Sequence, residues 1–350
     1  MSAAKKVIIV VIVLVAAIII LSNLSNFGKT ASTTADNWIK KYGVFSVNSD
    51  GSDLTLIHQS DTQLNHLHIS PDGTRILFSE FTQDLNGDGT ANEDDLFSAE
   101  VGVMNLDGTG YRLLTGPDNI IDAVPVWSPD GTEILFASSR GSVLENLNLD
   151  LYVMNSTGDN IQRLTLTDNM IEADPHWVEN KMVFPRLVKN ENVQNLWLMN
   201  SDGTGASQLT SPSFYTKSEA AFNFGDFDPK ISPGGTKIAF YRHLDDNLTI
   251  GGTVIGNYDL YTIGADGAGE TRLTSTPDVA EAMPTWSPDG TKLAFWYLRP
   301  TGIGLGLINA DGSSKHDATI NWSAAGATMP DWFPTGQKLI FSAANIRNVD

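Results

Sequence analysis

One phrase returns six times along this chain, and it limits the possible folds more than any other feature. It reads Ser70-Pro71-Asp72-Gly73, followed by Arg75-Ile76-Leu77-Phe78. It returns as Trp127-Ser128-Pro129-Asp130-Gly131 with Ile134-Leu135-Phe136, and as Trp286-Ser287-Pro288-Asp289-Gly290 with Leu293-Ala294-Phe295. Looser copies are Ile231-Ser232-Pro233-Gly234-Gly235 with Ile238-Ala239-Phe240, and Trp332-Phe333-Pro334-Thr335-Gly336 with Leu339-Ile340-Phe341. The most eroded copy is Trp177-Val178-Glu179-Asn180 with Met182-Val183-Phe184. A repeat of about 45 to 60 residues made of short strands is the pattern of a β-propeller.

The phrase meets the demands of a type I turn: Ser first, Pro presetting φ at the second position, Asp third and Gly fourth. It joins a strand A, which carries the Trp, to an alternating strand B, which ends in Phe. A second phrase follows: Val103-Met104-Asn105-Leu106-Asp107-Gly108, Val153-Met154-Asn155-Ser156-Thr157-Gly158 and Leu198-Met199-Asn200-Ser201-Asp202-Gly203, then Thr262 to Gly267 and Leu307 to Gly312. This is a strand C entering a hairpin turn, where Gly supplies positive φ. A strand D then ends in Leu-Thr, at Leu114-Thr115, Leu164-Thr165, Leu209-Thr210 and Leu273-Thr274. The first C phrase, Val44 to Gly51, has no A or B before it, and the last A and B pair, Pro330 to Phe341, has no C or D after it. The two halves complete each other. The expectation is an all-β, six-bladed propeller closed by its N- and C-terminal strands and preceded by an N-terminal hydrophobic helix.

The repeats fill most of the 350 residues, which leaves one folded domain over 38–350. With 41 acidic against 22 basic residues the formal charge is −19, and no Lys/Arg cluster lies beyond the first residues, which argues against nucleic acid as a partner. There is no cysteine, hence no disulfide, thiolate site or cysteine nucleophile. Lys5 and Lys6 precede an unbroken apolar run over residues 7–21. Residues 1–27 read as a signal peptide or, preferably, an uncleaved signal anchor, since no small-x-small cleavage site follows. The lysines place the N-terminus in the cytoplasm and the propeller outside it, in the periplasm or at the cell surface, tethered by residues 7–27. Residues 28–37 are small and polar and read as a linker.

These phrases closely resemble the TolB-type propeller repeat, with its P-x-W-S-P-D-G-x-x-I-x-F core and outer N-x-D-G turn, over about residues 42–343. Periplasmic scaffold proteins, propeller domains of serine peptidases and some sugar lyases share similar repeats. The peptidases carry a separate α/β-hydrolase domain, for which this chain has neither room nor a G-x-S-x-G elbow. The lyases imply a histidine-rich metal centre. Here only His66 and His68 lie close in sequence, two apart on a strand A, and they read as packing or surface histidines in preference to a metal pair.

Short A–B and C–D turns share one face of the disc, and the long D–A and B–C connections share the other. Long connections on a rigid scaffold are where binding residues collect. Three features lie there. The segment from Asp84 to Asp95 matches a calcium loop, with Asp84, Asn86 and Asp88 as side-chain ligands, Thr90 through its carbonyl, Asn92 through water and Asp95 closing the shell; a solvated polar turn is the bland alternative. A carboxylate recurs three residues before the strand-A proline, as Asp122, Glu172, Asp226 and Glu281. These acids read either as a cation or partner socket on the channel rim, or as loop-capping groups. Phe214 and Tyr215, with Phe222 and Phe224, form an aromatic group in the longest D–A connection, suited to a partner contact or to packing on the blade.

Two functions follow from this reading. The first is a membrane-tethered, non-enzymatic scaffold that holds a protein partner or a cell-envelope component on its D–A/B–C face, with Ca2+ as a structural ion. The second is a polysaccharide hydrolase or lyase using the rim carboxylates, for which their separation would decide the chemistry.

Overall fold

The computed structural model describes residues 42–344, apart from 86, 88–90, 92–94, 96–97, 117, 119, 143–147, 169, 189–192, 212–223, 246–247, 251–252, 255 and 319–326. The expected anchor and linker lie outside the described residues. Among the described residues no helix is long and apolar enough to cross a membrane.

Each repeat folds as an antiparallel sheet in A–B–C–D order. The first sheet is Leu64–Ile69, Arg75–Phe81, Ala99–Asn105 and Arg112–Leu113. The second is Asp122–Trp127, Glu133–Ser138, Asp150–Asn155 and Gln162–Arg163. In the third, strand A is split into Met170–Glu172 and His176–Val178, both paired with Lys181–Val188, and Val193–Asn200 and Ser207–Gln208 follow. The fourth is Phe224–Ile231, Lys237–Asp245, Asn257–Gly264 and Thr271–Arg272, and the fifth is Ala280–Trp286, Lys292–Arg299, Gly302–Asn309 and His316–Asp317. The closing sheet takes its A and B strands, Ala327–Trp332 and Lys338–Ala344, from the C-terminal end and its C and D strands, Tyr42–Asn48 and Thr55–Ser60, from the N-terminal end. Its seam runs from Tyr42↔Ala344 to Asn48↔Lys338. The unpaired halves of the repeat therefore meet as their sequence required, and the ring has no open inner edge at the seam.

The third and fourth sheets also touch through a short parallel pairing, Val193↔Phe224 and Gln194↔Gly225. Gly225 is required there. A Cβ would lie 2.0 Å from the Gln194 carbonyl oxygen, and φ is +126°.

The A–B turns close as their residue types dictate. Gly73 N–H donates to the Ser70 carbonyl at 2.8 Å, and Asp72 accepts from the Thr74 N–H at 3.0 Å and the Ser70 hydroxyl at 2.6 Å. Asp130 and Asp289 repeat this arrangement, and donation from Ser128 and Ser287, then from Thr132 and Thr291, holds their carboxyls down to about 2.

The core lies between sheets. The strand-B phenylalanines Phe78, Phe136, Phe184, Phe240, Phe295 and Phe341 are all buried. Each packs into an apolar cluster with residues of its own or a neighbouring sheet, as where Leu77, Val101 and Val103 meet Trp127, Ile134 and Phe136. The strand-A tryptophans lock the interfaces. Trp127 Nε1–H donates to His68 O at 3.2 Å, Trp286 to Lys230 O at 2.8 Å and Trp332 to Thr285 O at 3.2 Å, each time across to the preceding sheet. Trp177 instead donates to Glu179 of its own sheet and is half-buried. Replacing Trp127 by Ala is expected to cost about 3–5 kcal/mol in urea unfolding. Trp177→Ala should cost clearly less, because it leaves no inter-sheet bond broken.

Candidate functional site

Near the middle of each strand A the chain makes the same detour. Val124, Asp174, Asp228, Met283 and Met329 each precede a proline, and His66 precedes Leu67 at the matching place. All six have φ between 41° and 54°. A left-handed non-glycine residue costs on the order of 1–3 kcal/mol, and for the β-branched Val124 it is a true outlier. In five sheets the A–B register slips at this point, as between Asn65 and His68 or Ala123 and Val126, and in the third sheet strand A is interrupted. Proline suits the bulge because it has no N–H to leave unpaired.

The residue after the proline position reaches sideways to the next sheet. His68 Nδ1 accepts the Trp127 N–H at 3.1 Å, His176 Nδ1 accepts the Ile231 N–H at 3.1 Å, and Asp331 accepts the Ile69 N–H at 2.9 Å. Asp331 also accepts from the Trp332 N–H at 2.9 Å and the Thr285 hydroxyl at 3.2 Å. The detour therefore turns one side chain of each pair toward the axis and the other into an inter-sheet joint.

Together these residues line a cavity of ≈ 60 Å³ to which all the inner strands contribute. That is room for about four waters. One part of its wall is polar: His66, His68, Asp174, His176, Asp228, Lys230, Asp331 and Tyr241. The rest is apolar: Val124, Val126, Met283, Met329 and the prolines 125, 175, 284 and 330, with Leu67. Lys230 is ion-paired to Asp228, and His66 Nε2 lies 3.6 Å from Asp174 Oδ1. The His66 and Asp174 side chains keep 17% and 13% of their surface, and it is into this cavity that they open.

Burial controls protonation here. Burial, reinforced by the Lys230 ammonium, pushes His66 down to about 3. Burial also lowers His68, against the pull of Asp331, and lowers His176 well below the ordinary histidine value. These rings are neutral at physiological pH. Because Nδ1 of His68 and of His176 accepts a backbone N–H, the proton of each sits on Nε2. Burial, then the Asp228 charge, raises Asp174 to about 7, with Lys230 opposing.

The acids singled out by their repetition lie elsewhere. Asp122, Glu172, Asp226 and Glu281 are buried, none lines the cavity, and each has its charge met by a cation within the same protein. Asp122 pairs with Arg140; Glu172 with Arg186 at 2.6 Å; Asp226 with Arg242 at 2.5 Å; Glu281 with Lys315 at 2.6 Å. Arg186 also stacks over Trp197 at 4.1 Å, and Arg242 reaches Glu270 at 2.7 Å. Neither a free rim socket nor simple loop capping describes them: they belong to cross-strand rows such as Glu172–Arg186–Asn195 and Asp226–Arg242–Asp259.

Of the expected calcium ligands, Asn86, Asp88, Thr90 and Asn92 lie outside the described residues. Asp84 accepts from the Gly87 N–H at 2.7 Å, and buried Asp95 accepts from the Leu85 N–H at 2.7 Å. Phe214, Tyr215 and Phe222 lie outside the described residues, as does the side chain of Phe224. Among the described residues no group of three His, Asp or Glu side chains could hold a metal ion.

The sequence reading missed Asp174, His176, Asp228, Lys230, Asp331 and Tyr241. The signal was the residues flanking the strand-A proline, where a polar type replaces an apolar one in several copies.

No family model matches the sequence, and no curated protein matches it. The fold, by contrast, is shared with many solved structures. A putative TolB from Agrobacterium tumefaciens aligns with TM-score 0.66 at 16% identity, over 88% of this chain and 99% of that one. TolB from Acinetobacter baumannii aligns with 0.54 at 14%, over 92% of this chain and 70% of that one. Hydrazine synthase from Kuenenia stuttgartiensis aligns with 0.55 at 13%, over 87% of this chain and 46% of that one. The protein has the fold of a TolB-like β-propeller. A likeness that spans TolB and hydrazine synthase identifies the scaffold, not the activity.

Two outcomes follow from the charges. Glu172→Gln leaves Arg186 buried without its counter-ion and should cost about 3–5 kcal/mol, whereas Glu281→Gln frees a Lys315 that is one-third exposed and should cost about 1 kcal/mol or less; paired urea titrations measure both. Glu100 is buried with Thr115 as its partner, and burial raises it to about 8. A carboxyl raised on folding contributes stability that is complete below its unfolded value and lost as pH rises through 8. Glu100→Gln should therefore remove part of the stability loss between about pH 5 and 9, with a gain of roughly 1–3 kcal/mol at the alkaline end.

Proposed function

We propose that this protein is a non-enzymatic, extracytoplasmic binding scaffold: a six-bladed TolB-like propeller tethered to the membrane by residues 7–27 through the linker 28–37. Its partner is a protein segment or cell-envelope component that docks on the D–A/B–C loop face. One observation carries this reading: the repeated carboxylates of that face are locked in ion pairs with Arg140, Arg186, Arg242 and Lys315. A glycoside hydrolase or lyase working there needs a carboxyl free to exchange protons. The axial cavity, with room for about four waters, suits a side-chain end or a small group better than a polymer.

The loop face carries apolar contact points for such a partner. Leu166, in a D–A connection, is 76% exposed, and Leu85, in a B–C connection, is also exposed. Ca2+ bound in the loop from Asp84 to Asp95 would order the neighbouring part of that face.

The test is capture from solubilised envelope with the full-length protein as bait, with and without Ca2+. A Leu85→Asp, Leu166→Asp variant is expected to lose the partner, while Leu56→Asp, on the outer edge, keeps it. Asp88→Asn should abolish any Ca2+-dependent rise in melting temperature. Equal capture by all three baits would remove the loop face from the proposal.

A further inference from the structure

We propose that the axial cavity binds a carboxylate group carrying a small apolar substituent, held by Lys230 and by the Nε2–H groups of His68 and His176. This goes beyond the docking of a partner on the loop face and does not depend on it.

The donors are fixed by the fold. His68 and His176 each spend Nδ1 on a backbone N–H of the neighbouring sheet, so each offers the cavity a donor and no lone pair. The two rings stand edge to face with centroids 6.1 Å apart, and both line the cavity. Lys230 lines the same wall and keeps further N–H donors after pairing with Asp228. Tyr241 adds a hydroxyl. The residue is 3% exposed, its ring is stacked on Phe227, and it lines the cavity. A tyrosine hydroxyl on that wall can donate to a ligand oxygen.

The same wall selects the kind of acceptor. A cation meets three N–H donors there, and the place beside Asp228 already holds the Lys230 ammonium. A metal ion finds no imidazole lone pair at His68 or His176 without displacing their backbone bonds. A dianion such as phosphate is disfavoured by Asp174, Asp228 and Asp331 close by. A monoanionic carboxylate brings a single charge, which protonation of Asp174 can offset, and it accepts from the Lys230 ammonium and two neutral donors. Its substituent faces Val124, Val126, Met283, Met329 and the prolines, and the ≈ 60 Å³ of space keeps that substituent small.

Binding should take up a proton. The groups facing Asp174 are His66, Asp228, Lys230, Tyr241 and His176. A second anion among them favours the protonated form of Asp174, which already titrates near 7. Affinity should rise as pH falls from about 8 to about 6, whereas a bound cation would show the opposite sign.

Calorimetry on the full-length protein tests this with propionate, propylammonium, N-acetyl-dialanine and its C-terminal amide. The expected result is saturable binding of propionate, tighter near pH 6 than near pH 8, and none of propylammonium. Lys230→Met should abolish it, and Tyr241→Phe, which keeps the ring, should weaken it by about tenfold. Circular dichroism checks both folds, and Tyr241→Phe decides alone if Lys230→Met is unfolded. Binding of the peptide acid but not its amide would identify the C-terminus of a polypeptide as the source, and propionate alone would identify a free acid. Absence of saturable binding by either acid, retention of full affinity in the variants, or binding of propylammonium would overturn the proposal.

Discussion

The left-handed residue at the centre of each inner strand is the constraint on which the rest of this molecule depends. Without it, strand A would continue its two-residue alternation and present one side chain in two to the axis. With it, the register slips by a residue, the proline removes the donor that would be orphaned, and the next side chain swings into the joint with the following sheet. Six residues carry this conformation, from His66 to Met329. Its cost is offset locally. The carbonyls of His68, Lys230 and Thr285 accept tryptophan N–H groups, and the side chains of His68, His176 and Asp331 accept backbone N–H groups, across the same interfaces. Strain and joint are two parts of one device, repeated around the ring.

Outside this inner layer, charge does the aligning. A net charge of −19 would leave a small ring self-repelling if its acids were scattered at random. Instead several acids sit buried opposite a cation in cross-strand rows. A buried pair adds little net stability compared with an apolar pair of the same volume, but a broken one is expensive. Its effect falls on alternatives. A one-residue slip of strand B in the third sheet would turn Arg186 away from Glu172 and leave both groups buried and unpaired, so the rows act against misregistered sheets.

Legibility in the sequence followed the same division. The turns, the strand order and the closing sheet were readable because Ser-Pro-Asp-Gly and Asn-x-Asp-Gly encode local geometry, and local geometry needs no knowledge of neighbours. The regular spacing of Asp122, Glu172, Asp226 and Glu281 was readable too, but not its meaning. Arg140 and Arg186 lie close along the sequence at 18 and 14 residues, yet only the pairing of strands shows that they reach those acids. The axial site was hidden for a different reason. His66, Asp174 and Lys230 come from three sheets, and a residue of ordinary type at positive φ leaves no mark in the sequence beyond the proline that follows it in five of the six copies.

That last point separates what is fixed from what is free in this scaffold. The six left-handed positions hold His, Val, Asp, Asp, Met and Met, although all have nearly the same φ. The backbone is therefore set by the proline, the bulge and the inter-sheet joints, and hardly by the side chain that points at the axis. A position whose conformation is imposed from outside can change its chemistry without changing the fold. The inner strands then supply a ring of sites, each open to substitution, around one small cavity. At these positions the first, third and fourth sheets have taken polar residues and the second, fifth and closing sheets apolar ones, which gives the cavity two unlike walls. Buried polar groups are costly unless something meets them. Here the imidazoles are held neutral, the Lys230 ammonium is paired with Asp228 and Tyr241 lines the same space, so the wall keeps N–H and O–H donors that an entering acceptor can meet.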